Sequence, residues 1–336
     1  MIGYYVHHQG RGHLQRMRCI AAHLDEPLTV LSSLTDHRFD RPWVMLPLDN
    51  QQESVDPTAN GTLHWVPRHD DGLRRRMALI AAWINATDPD LMVVDVSVEV
   101  AMLCRLMGVP TVVAAMRGNR LDRAHRAAYD SAQALLAPWA AEFPVTEWPD
   151  AWRHKTFHAG AISRFGDRQP PAEIEHDGAL RVLVLWGAGG GGRPDDAVAV
   201  AAAANPDVQW HLACAAPDDA AAVWNLLTWA DVVVTHGGQG AIAEVAAARR
   251  PAVVIAADRP HDEQSATVQV LGEAGLAIAL QGWPEPSDWP DLLRSARRLG
   301  GHRWGRWAPP NAARQAADFL SSTARAVRAR SERPVA

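Results

Sequence analysis

A run of ten residues, 235–244, holds the residue types best suited to binding a phosphate group. It follows an apolar strand pattern and opens a helical pattern, and its glycines would let the backbone approach a ligand closely. The N-terminus of such a helix offers unpaired N–H groups and a partial positive charge to an anion. Glu244, about one turn inside the helix, could accept hydrogen bonds from both hydroxyls of a ribose, as acidic residues do in dinucleotide-binding folds. The alternative is an ordinary strand-to-helix turn with a solvated glutamate.

A second glycine loop, residues 187–192, has the same setting. An apolar strand pattern over residues 181–186 precedes it, and a helical pattern over residues 194–204 follows, with Pro194 at an allowed position in the first turn. The loop is therefore a second candidate for binding phosphate, and a flexible connector is the alternative.

Strand, loop and helix patterns alternate along the chain, which predicts an α/β fold whose ligands bind at the carboxyl ends of parallel strands. The chain has 336 residues, of which 48% are hydrophobic, and this is enough for two cores of ordinary size. Residues 157–162 predict the last short strand of a first domain, residues 1–165. A charged segment with two adjacent prolines, residues 166–179, predicts a linker to a second domain, residues 180–310.

Two pieces of the second half carry a family resemblance. The sequence ADVVVTHGGQGAIAEVAAARRPAVVIAADRPHDEQ, residues 230–264, and the later EAGLA, residues 273–277, resemble the nucleotide-sugar glycosyltransferases of the GT-B fold, families 28 and 1. The resemblance implies two Rossmann-like domains with a cleft for donor and acceptor between them. It also implies that a C-terminal helix, residues 311–330, crosses back onto the first domain.

The resemblance assigns roles in donor binding. It implies that the glycine loops hold the donor diphosphate, that Glu244 holds the ribose, and that Glu263 with Gln264 holds hydroxyls of the transferred sugar. The donor-binding residues implied in this way are Gly12, Gly187, Gly189, Gly190, His236, Gly237, Gly238, Gln239, Gly240, Glu244, Glu263 and Gln264.

The amino terminus resembles the loop that opens these transferases. Residues 2–6 predict a strand, HHQGRGH at residues 7–13 is a glycine loop, and residues 14–24 have apolar side chains at helical spacing. The histidine that closes the loop in the family is the general base, and the resemblance gives that role to His13. At a helix N-terminus an imidazole is disfavoured as a cation, so it stays able to accept a proton. The alternative for a single histidine in a loop is a structural role.

A partner for His13 is implied by another segment. Residues 89–95 predict a strand that ends in Asp95, and residues 98–107 predict the helix after it. This segment resembles the one in family 1 whose aspartate hydrogen-bonds the catalytic histidine. Asp95 would then hold the ring of His13 and stabilise the imidazolium as it forms. The open alternative is an aspartate that caps the following helix.

The reaction implied is inverting, metal-independent transfer of a sugar from a nucleoside-diphosphate sugar, with UDP as the family default, to an acceptor hydroxyl. A UDP-sugar 2-epimerase of the same fold and a non-catalytic nucleotide-sugar-binding subunit are the alternatives. No cofactor is expected besides this co-substrate, because no D-x-D element stands in a context suited to a metal-bound diphosphate. A metal site of His7, His8 and His13 is disfavoured, since adjacent residues on a strand point to opposite faces.

Departures from the family pattern leave the donor open. Between the strand pattern at residues 208–213 and the strand that starts at residue 231 there is room for one helix, residues 218–229. Relatives have an extra strand and loop there that contact the base. Ala188 and Thr267 stand where a hydroxyl residue and an asparagine are common. The sequence therefore fixes neither the base nor the sugar.

Composition bounds the location and the partners. The net charge of −5 gives no support for nucleic-acid binding. No apolar run approaches the ~20 residues of a membrane span, and no charged-then-apolar leader is present, so we expect a cytoplasmic protein. The cysteines lack metal-ligand spacing and are expected to be small buried apolar residues. They are Cys19, Cys104 and Cys214.

Two groups of arginines in the first domain predict a cationic face. Such a face would suit an anionic or lipid-linked acceptor, or peripheral association with the inner membrane surface, whereas an ordinary solvated face is the alternative. The second group has helical spacing that would align its members. The first group is Arg68, Arg74, Arg75 and Arg76, and the second is Arg117, Arg120, Arg123 and Arg126.

Overall fold

The computed structural model describes residues 1–36, 39–51, 53–171, 178–187, 192, 194–213 and 219–331. They form two α/β domains, each built on one parallel β-sheet. The predicted α/β class is therefore confirmed.

The first sheet has seven parallel strands. They are β1 (Ile2–Val6), β2 (Leu28–Ser32), β3 (Trp43–Met45), β4 (Leu91–Asp95), β5 (Thr111–Ala114), β6 (Ala134–Ala137) and β7 (Thr156–His158). Their order across the sheet is β3-β2-β1-β4-β5-β6-β7. Every residue of β1 and β4 is buried, which explains why these strands are nearly continuous apolar runs in the sequence.

The helices of this domain alternate with the strands. They are α1 (Gly12–Ala21), α2 (Asp71–Thr87), α3 (Val98–Leu106), α4 (Arg123–Ser131) and α5 (Asp150–His154). Side chains fix where three of them begin, because Asp70, Ser97 and Asp122 accept hydrogen bonds from the first free N–H groups of α2, α3 and α4.

The second sheet has five parallel strands. They are β8 (Leu180–Leu185), β9 (Val208–Ala213), β10 (Val232–His236), β11 (Ala252–Ile255) and β12 (Ile278–Leu280), in the order β12-β11-β10-β8-β9. The helices are α6 (Asp195–Ala204), α7 (Ala220–Trp229), α8 (Gln239–Ala247), α9 (Glu263–Glu273), α10 (Trp289–Leu299) and α11 (Trp304–Trp307). Two short 3₁₀ helices cover Pro260–Asp262 and Pro286–Asp288.

A last helix, α12 (Ala312–Ser331), packs on the first domain. Its small residues Ala316 and Ala317 are fully buried in the same apolar cluster as β1. Phe319 stacks on Phe157 of β7 with 4.4 Å between ring centroids. The chain therefore ends on the domain in which it began.

The segment after β7 differs from the expectation. We predicted a strand over residues 157–162, but the strand covers only Thr156–His158. Further along, the N–H of Ala161 donates to the carbonyl of Trp307 at 3.0 Å, so this segment bonds to an element of the second domain rather than to the sheet. Among the residues that the structure describes, no helix is long and apolar enough to cross a membrane.

Strand order locates the ligand-binding edge of each sheet. In the first sheet, β1 lies between β2 and β4, and in the second, β8 lies between β9 and β10. The connections leave in opposite directions at these two places, which opens a crevice at the carboxyl ends of the strands. The loops after β1 and β4, and those after β8 and β10, are therefore where ligands are expected.

Candidate active site

A cavity of about 390 Å³ lies between the domains. On the first-domain side it is lined by residues that follow β1, β4, β5 and β6, and on the second-domain side by residues that follow β8, β10 and β11. The carboxyl ends of both sheets therefore open onto one cleft.

His13 and Asp95 are brought together at this cleft. Nδ1 of His13, the second residue of α1, lies 2.8 Å from Oδ1 of Asp95, whose side chain is fully buried at the end of β4. Ser97, and not Asp95, caps α3, because its hydroxyl accepts a hydrogen bond from the N–H of Val100 at 3.2 Å. The structure thus resolves the open alternative for Asp95 in favour of contact with His13.

Arg16 completes this buried group, although the sequence analysis did not select it. Its Nε and Nη2 donate to the two carboxylate oxygens of Asp95 at 3.0 and 2.5 Å, and Nη1 donates to Oε1 of Gln239 at 2.5 Å. Gln239 belongs to the second domain, so the group spans the cleft. The three-residue spacing from His13 places Arg16 on the same helix face, and that spacing was the available signal.

Charges near Asp95 keep it ionised. Burial raises the pKa of this carboxyl, but the charges of Arg16 and His13 and their hydrogen bonds lower it by more and hold the pKa well below its usual value. An ionised Asp95 can hold the His13 ring and stabilise a positive charge on it.

The glycine loop of the second domain depends on the absence of side chains. A methyl group on Gly238 would lie 2.3 Å from Cε1 of His236, and one on Gly237 would lie 3.1 Å from the backbone oxygen of Gln264. A methyl group on Gly240 would lie 3.8 Å from Cα of Gly12 in the first domain. Gly237 and Gly238 therefore leave room for Gln264 and for the His236 ring, whereas the contact at Gly240 is an ordinary one that shows only that the N-termini of α1 and α8 lie close together.

The start of α8 is suited to an anion. No described side chain caps this helix, so its first N–H groups remain available. The N–H of Gly238 donates to Nδ1 of His236 at 3.0 Å. Burial and the charge of Arg259 lower the pKa of His236 to about 4, and the neutral ring must then carry its proton on Nε2 because Nδ1 accepts the bond.

Glu244 lines the cavity in contact with a partner from the other domain. Its Oε1 lies 2.8 Å from Nε of Arg164, which follows β7. Burial raises the pKa of Glu244, and the charge of Arg164 opposes this shift. The structure places Glu244 beside the cleft as expected of a donor-binding residue, but no pattern in the sequence pointed to Arg164.

The two residues assigned to the sugar have different surroundings. Oε2 of Glu263, the first residue of α9, lies 3.5 Å from Nη2 of Arg120 in the first domain. Gln264 is buried, and its Oε1 accepts a hydrogen bond from the N–H of Ala257 at 3.1 Å. The hydroxyl of Thr267 donates to the backbone oxygen of Glu263 at 2.8 Å, so Thr267 stabilises the first turn of the helix. Glu263 and Gln264 both line the cavity.

The other glycine loop is described in part. Gly187 lines the cavity, and a methyl group on it would lie 3.6 Å from Nε2 of His236. Gly189 and Gly190 lie outside the described residues, as does Ala188. The cavity is also lined by Arg11, Arg16, Arg18, Arg120, Arg164 and Arg259. Carboxylates contact four of these arginines, namely Arg16, Arg18, Arg120 and Arg164.

The predicted cationic face is wrong for three of its eight arginines, whereas Arg68, Arg74, Arg75, Arg123 and Arg126 are exposed and membrane association stays a prediction. Arg117 and Arg120 precede α4 rather than lying on it, and their side chains are buried. Arg117 lies over the ring of Trp139, 4.7 Å from its centroid. Arg76 is also buried and donates to the hydroxyl of Tyr5 at 2.7 Å. These guanidinium groups serve contacts within the domain, so they cannot attract an anionic surface.

The histidines of the first loop also differ from the expectation. The strand ends at Val6, and the rings of His7 and His8 stack with 4.7 Å between centroids instead of pointing to opposite faces. Burial, together with the neighbouring His13 and His8, lowers the pKa of His7 to about 3. Among the described residues, the histidines whose ligand atoms converge are others. They are His64, His125 and His261.

Parts of this chain and its whole fold are similar to known proteins. Residues 221–283 match the glycosyltransferase family 28 C-terminal domain. No curated protein sequence matches the chain. MurG from Acinetobacter baumannii has a similar structure, with 14% sequence identity, a TM-score of 0.64, and coverage of 96% of this chain and 99% of that one. The chain has the GT-B fold, and part of its second domain is similar to a glycosyltransferase family 28 domain.

Two further GT-B structures are similar over nearly the whole chain. The glycotransferase of kitacinnamycin has 17% identity, a TM-score of 0.62, and coverage of 96% of this chain and 98% of that one. The spinosyn rhamnosyltransferase SpnG, solved with thymidine diphosphate, has 16% identity, a TM-score of 0.60, and coverage of 97% and 96% respectively. The predicted GT-B architecture is therefore confirmed.

Proposed function

We propose that this GT-B protein is an inverting glycosyltransferase that moves a sugar from a nucleoside-diphosphate sugar to an acceptor hydroxyl, with His13 as general base. The observation that carries the proposal is the position of the His13–Asp95 pair. It lies at the start of α1, close to the uncapped start of α8 across the cleft. A base from one domain thus meets an anion-binding helix from the other.

The proposed reaction is a single displacement. The acceptor oxygen forms a bond to the anomeric carbon as the bond from that carbon to the diphosphate breaks, and the acceptor proton passes to His13. Because Nδ1 of His13 contacts Asp95, Nε2 is the nitrogen that takes the proton. Asp95 then stabilises the imidazolium.

The leaving diphosphate gains negative charge as the bond breaks. The free N–H groups at the start of α8 are aimed at this charge, and such preorganised donors usually contribute most to catalysis. None of these steps requires a metal ion, and we propose a metal-independent transfer.

The proposed donor is a UDP-sugar, on the family resemblance. A TDP-sugar is the second candidate, because the structurally similar SpnG was solved with thymidine diphosphate. A single helix, α7, lies between β9 and β10 in the described part of the chain, so the identity of the base stays open. The acceptor and the cytoplasmic location stay predictions.

A hydrolysis screen with UDP-, TDP- and GDP-sugars tests the proposal. We expect slow release of nucleoside diphosphate from one donor class, and NMR of the first sugar released should show an inverted anomeric centre. Conversion of the donor into a 2-epimer, with no acceptor needed, would indicate the epimerase instead. Tight nucleotide binding with no turnover of any donor would indicate a binding subunit.

A further inference from the structure

Besides the histidines of the first loop, a second group of three histidines lines the cleft. We propose that His64, His125 and His261 bind one transition-metal dication of the Zn²⁺ class that joins the two domains. His64 lies between β3 and α2, His125 on α4, and His261 in the 3₁₀ helix Pro260–Asp262 of the second domain. One ligand atom from each lies within 4.8 Å of those of the other two.

The three rings converge on one carboxylate. Oδ1 of Asp122 lies 3.1 Å from Nε2 of His64, and Oδ2 contacts Nδ1 of His125 and lies 3.9 Å from Nδ1 of His261. The carboxylate is itself fixed, because it accepts hydrogen bonds from the N–H groups of Ala124 and His125 at 3.1 Å. Asp122 thus contacts all three histidines.

This ligand set suits zinc. Three imidazole nitrogens and one carboxylate oxygen are ligands of a four-coordinate Zn²⁺ site. Bonds of about 2.0–2.1 Å in tetrahedral geometry place nitrogens about 3.4 Å apart, so atoms that lie up to 4.8 Å apart must close by as much as about 1.4 Å. His64 and His261 are partly exposed, whereas His125 is buried, so most of this movement falls on the first two side chains. Asp122 supplies the fourth ligand in this arrangement.

The backbone holds the third ligand in an unusual conformation. His261 and Asp262 have left-handed φ angles of 64° and 55°, which are uncommon for residues with side chains and are often found at ligand sites. The N–H of Asn119 in the first domain donates to the carbonyl of His261 at 2.8 Å. A methyl group on Gly118 would lie 2.2 Å from that same oxygen, so a glycine is needed for this approach.

The other ligands are fixed by the first domain alone. The N–H groups of His64 and Trp65 donate to Oε1 of Glu99 at 2.8 and 3.0 Å, which anchors the loop that carries His64. His125 follows the capping Asp122 on α4. A bound ion would therefore tie His261 of the second domain to two ligands that the first domain holds in place.

Arg120 is the cation that faces this group. Its Nη1 lies 3.1 Å from Nε2 of His125, while Nη2 lies 3.5 Å from Oε2 of Glu263. When a dication binds, the guanidinium would turn toward Glu263, since two cations in contact repel each other.

Metal titration of tag-free protein, first stripped with a chelator, tests the site. Zn²⁺ would be measured by competition with a chromophoric chelator and Co²⁺ by its visible absorption. We expect one equivalent per chain in the wild type. His261→Gln and His64→Gln should each weaken Zn²⁺ binding by more than about 100-fold, beyond the 10–100-fold typical for losing an outer-shell partner.

Two controls separate this site from other histidines. His154→Gln changes an exposed residue of α5, and His7→Gln changes the other histidine group, and both should bind Zn²⁺ as the wild type does. The two ligand variants change one histidine in each domain. If one of them fails to fold, the other still tests the site. Wild-type affinity in both ligand variants, or loss of the site in His7→Gln, would overturn the proposal. These readouts do not depend on turnover, so they are independent of the proposed transfer reaction.

Discussion

Asp95 is the residue whose replacement tests the buried charge group most sharply. It is fully buried and holds both Arg16 and His13. Asp95→Asn leaves Arg16 without a charged partner, and removing one member of a buried pair costs about 3–5 kcal/mol of stability. Turnover should also fall, because an amide does not stabilise the imidazolium of His13.

The matched control for this variant is Asp90→Asn. Asp90 precedes the same strand, β4, at its other end, and its partly exposed carboxylate pairs with Arg328 and with the N-terminal ammonium. We expect a smaller loss of stability than in Asp95→Asn, because these pairs are partly exposed to water, and unchanged turnover. Thermal unfolding and steady-state kinetics of the two variants make the comparison. Equal effects of both changes would argue against a special role for Asp95.

Glu244 carries the second residue-scale prediction. Charge-assisted hydrogen bonds to a ribose are lost in Glu244→Ala, so nucleoside diphosphate binding should weaken by roughly 1.5–3 kcal/mol in calorimetry. Arg164→Ala is the companion variant. It removes the guanidinium that lies 2.8 Å from Glu244 but leaves the Glu244 carboxylate in place. Unchanged affinity in a folded Glu244→Ala protein would remove Glu244 from the donor site.

At the scale of elements, the start of α8 depends on its glycines. A methyl group on Gly238 would clash with the His236 ring at 2.3 Å, so Gly238→Ala must displace the ring or the first turn of the helix. We expect diphosphate affinity to fall at least about tenfold and stability to fall by about 1–3 kcal/mol. Calorimetry and thermal unfolding would measure both quantities.

Gly282→Ala is the control for that element. Gly282 is exposed, and a methyl group on it would have no neighbour within 4 Å. This variant should bind diphosphate like the wild type. If Gly238→Ala also binds normally, the anion does not lie at the start of α8.

Elements with local signals were predictable from the sequence. The strands and helices beside the glycine loops follow from apolar runs and helical spacing, and the structure places them within a few residues of the expected bounds. The strand at residues 157–162 was overestimated because its second half bonds to Trp307, far away in the sequence. Three of the eight arginines assigned to the cationic face were misplaced for a related reason, since spacing alone does not reveal that Arg117 is buried against Trp139.

Most of the site residues that could be predicted from the sequence belong to a recognisable motif. His13 and Glu244 stand in glycine-loop motifs, and Arg16 is three residues from His13 on the same helix, whereas Arg164 and the second histidine group come from positions that only the fold brings together. Contacts across the cleft join residues more than a hundred positions apart, as between Arg16 and Gln239. No periodicity in one segment can indicate such a pair.

At the scale of the whole molecule, neutral buried histidines make stability depend on pH. Burial lowers the pKa of His7 to about 3 and that of His236 to about 4, one in each domain. Below pH ~6.5 the unfolded chain binds protons that the folded protein does not, so stability falls as the pH is lowered toward these values. Each histidine should contribute a loss of roughly 1–2 kcal/mol between pH 7 and 5.

Thermal unfolding midpoints measured from pH 7 to 5 test whether stability falls as the pH is lowered. Replacing both residues by glutamine should flatten the decline, because the unfolded chain then gains fewer protons. His154→Gln, in an exposed position, should leave the decline unchanged. An equal slope in the double variant and the wild type would show that other groups control acid stability.

The transfer mechanism is tested most directly by measuring turnover and donor affinity in one preparation of His13→Ala. His13 belongs to the first domain, whereas the proposed diphosphate site is the start of α8 in the second. With the donor identified by the hydrolysis screen, turnover should fall by about 10²–10⁴ while the donor Kd changes by less than about threefold. Near-normal turnover in the folded variant would contradict the assignment of His13 as the base.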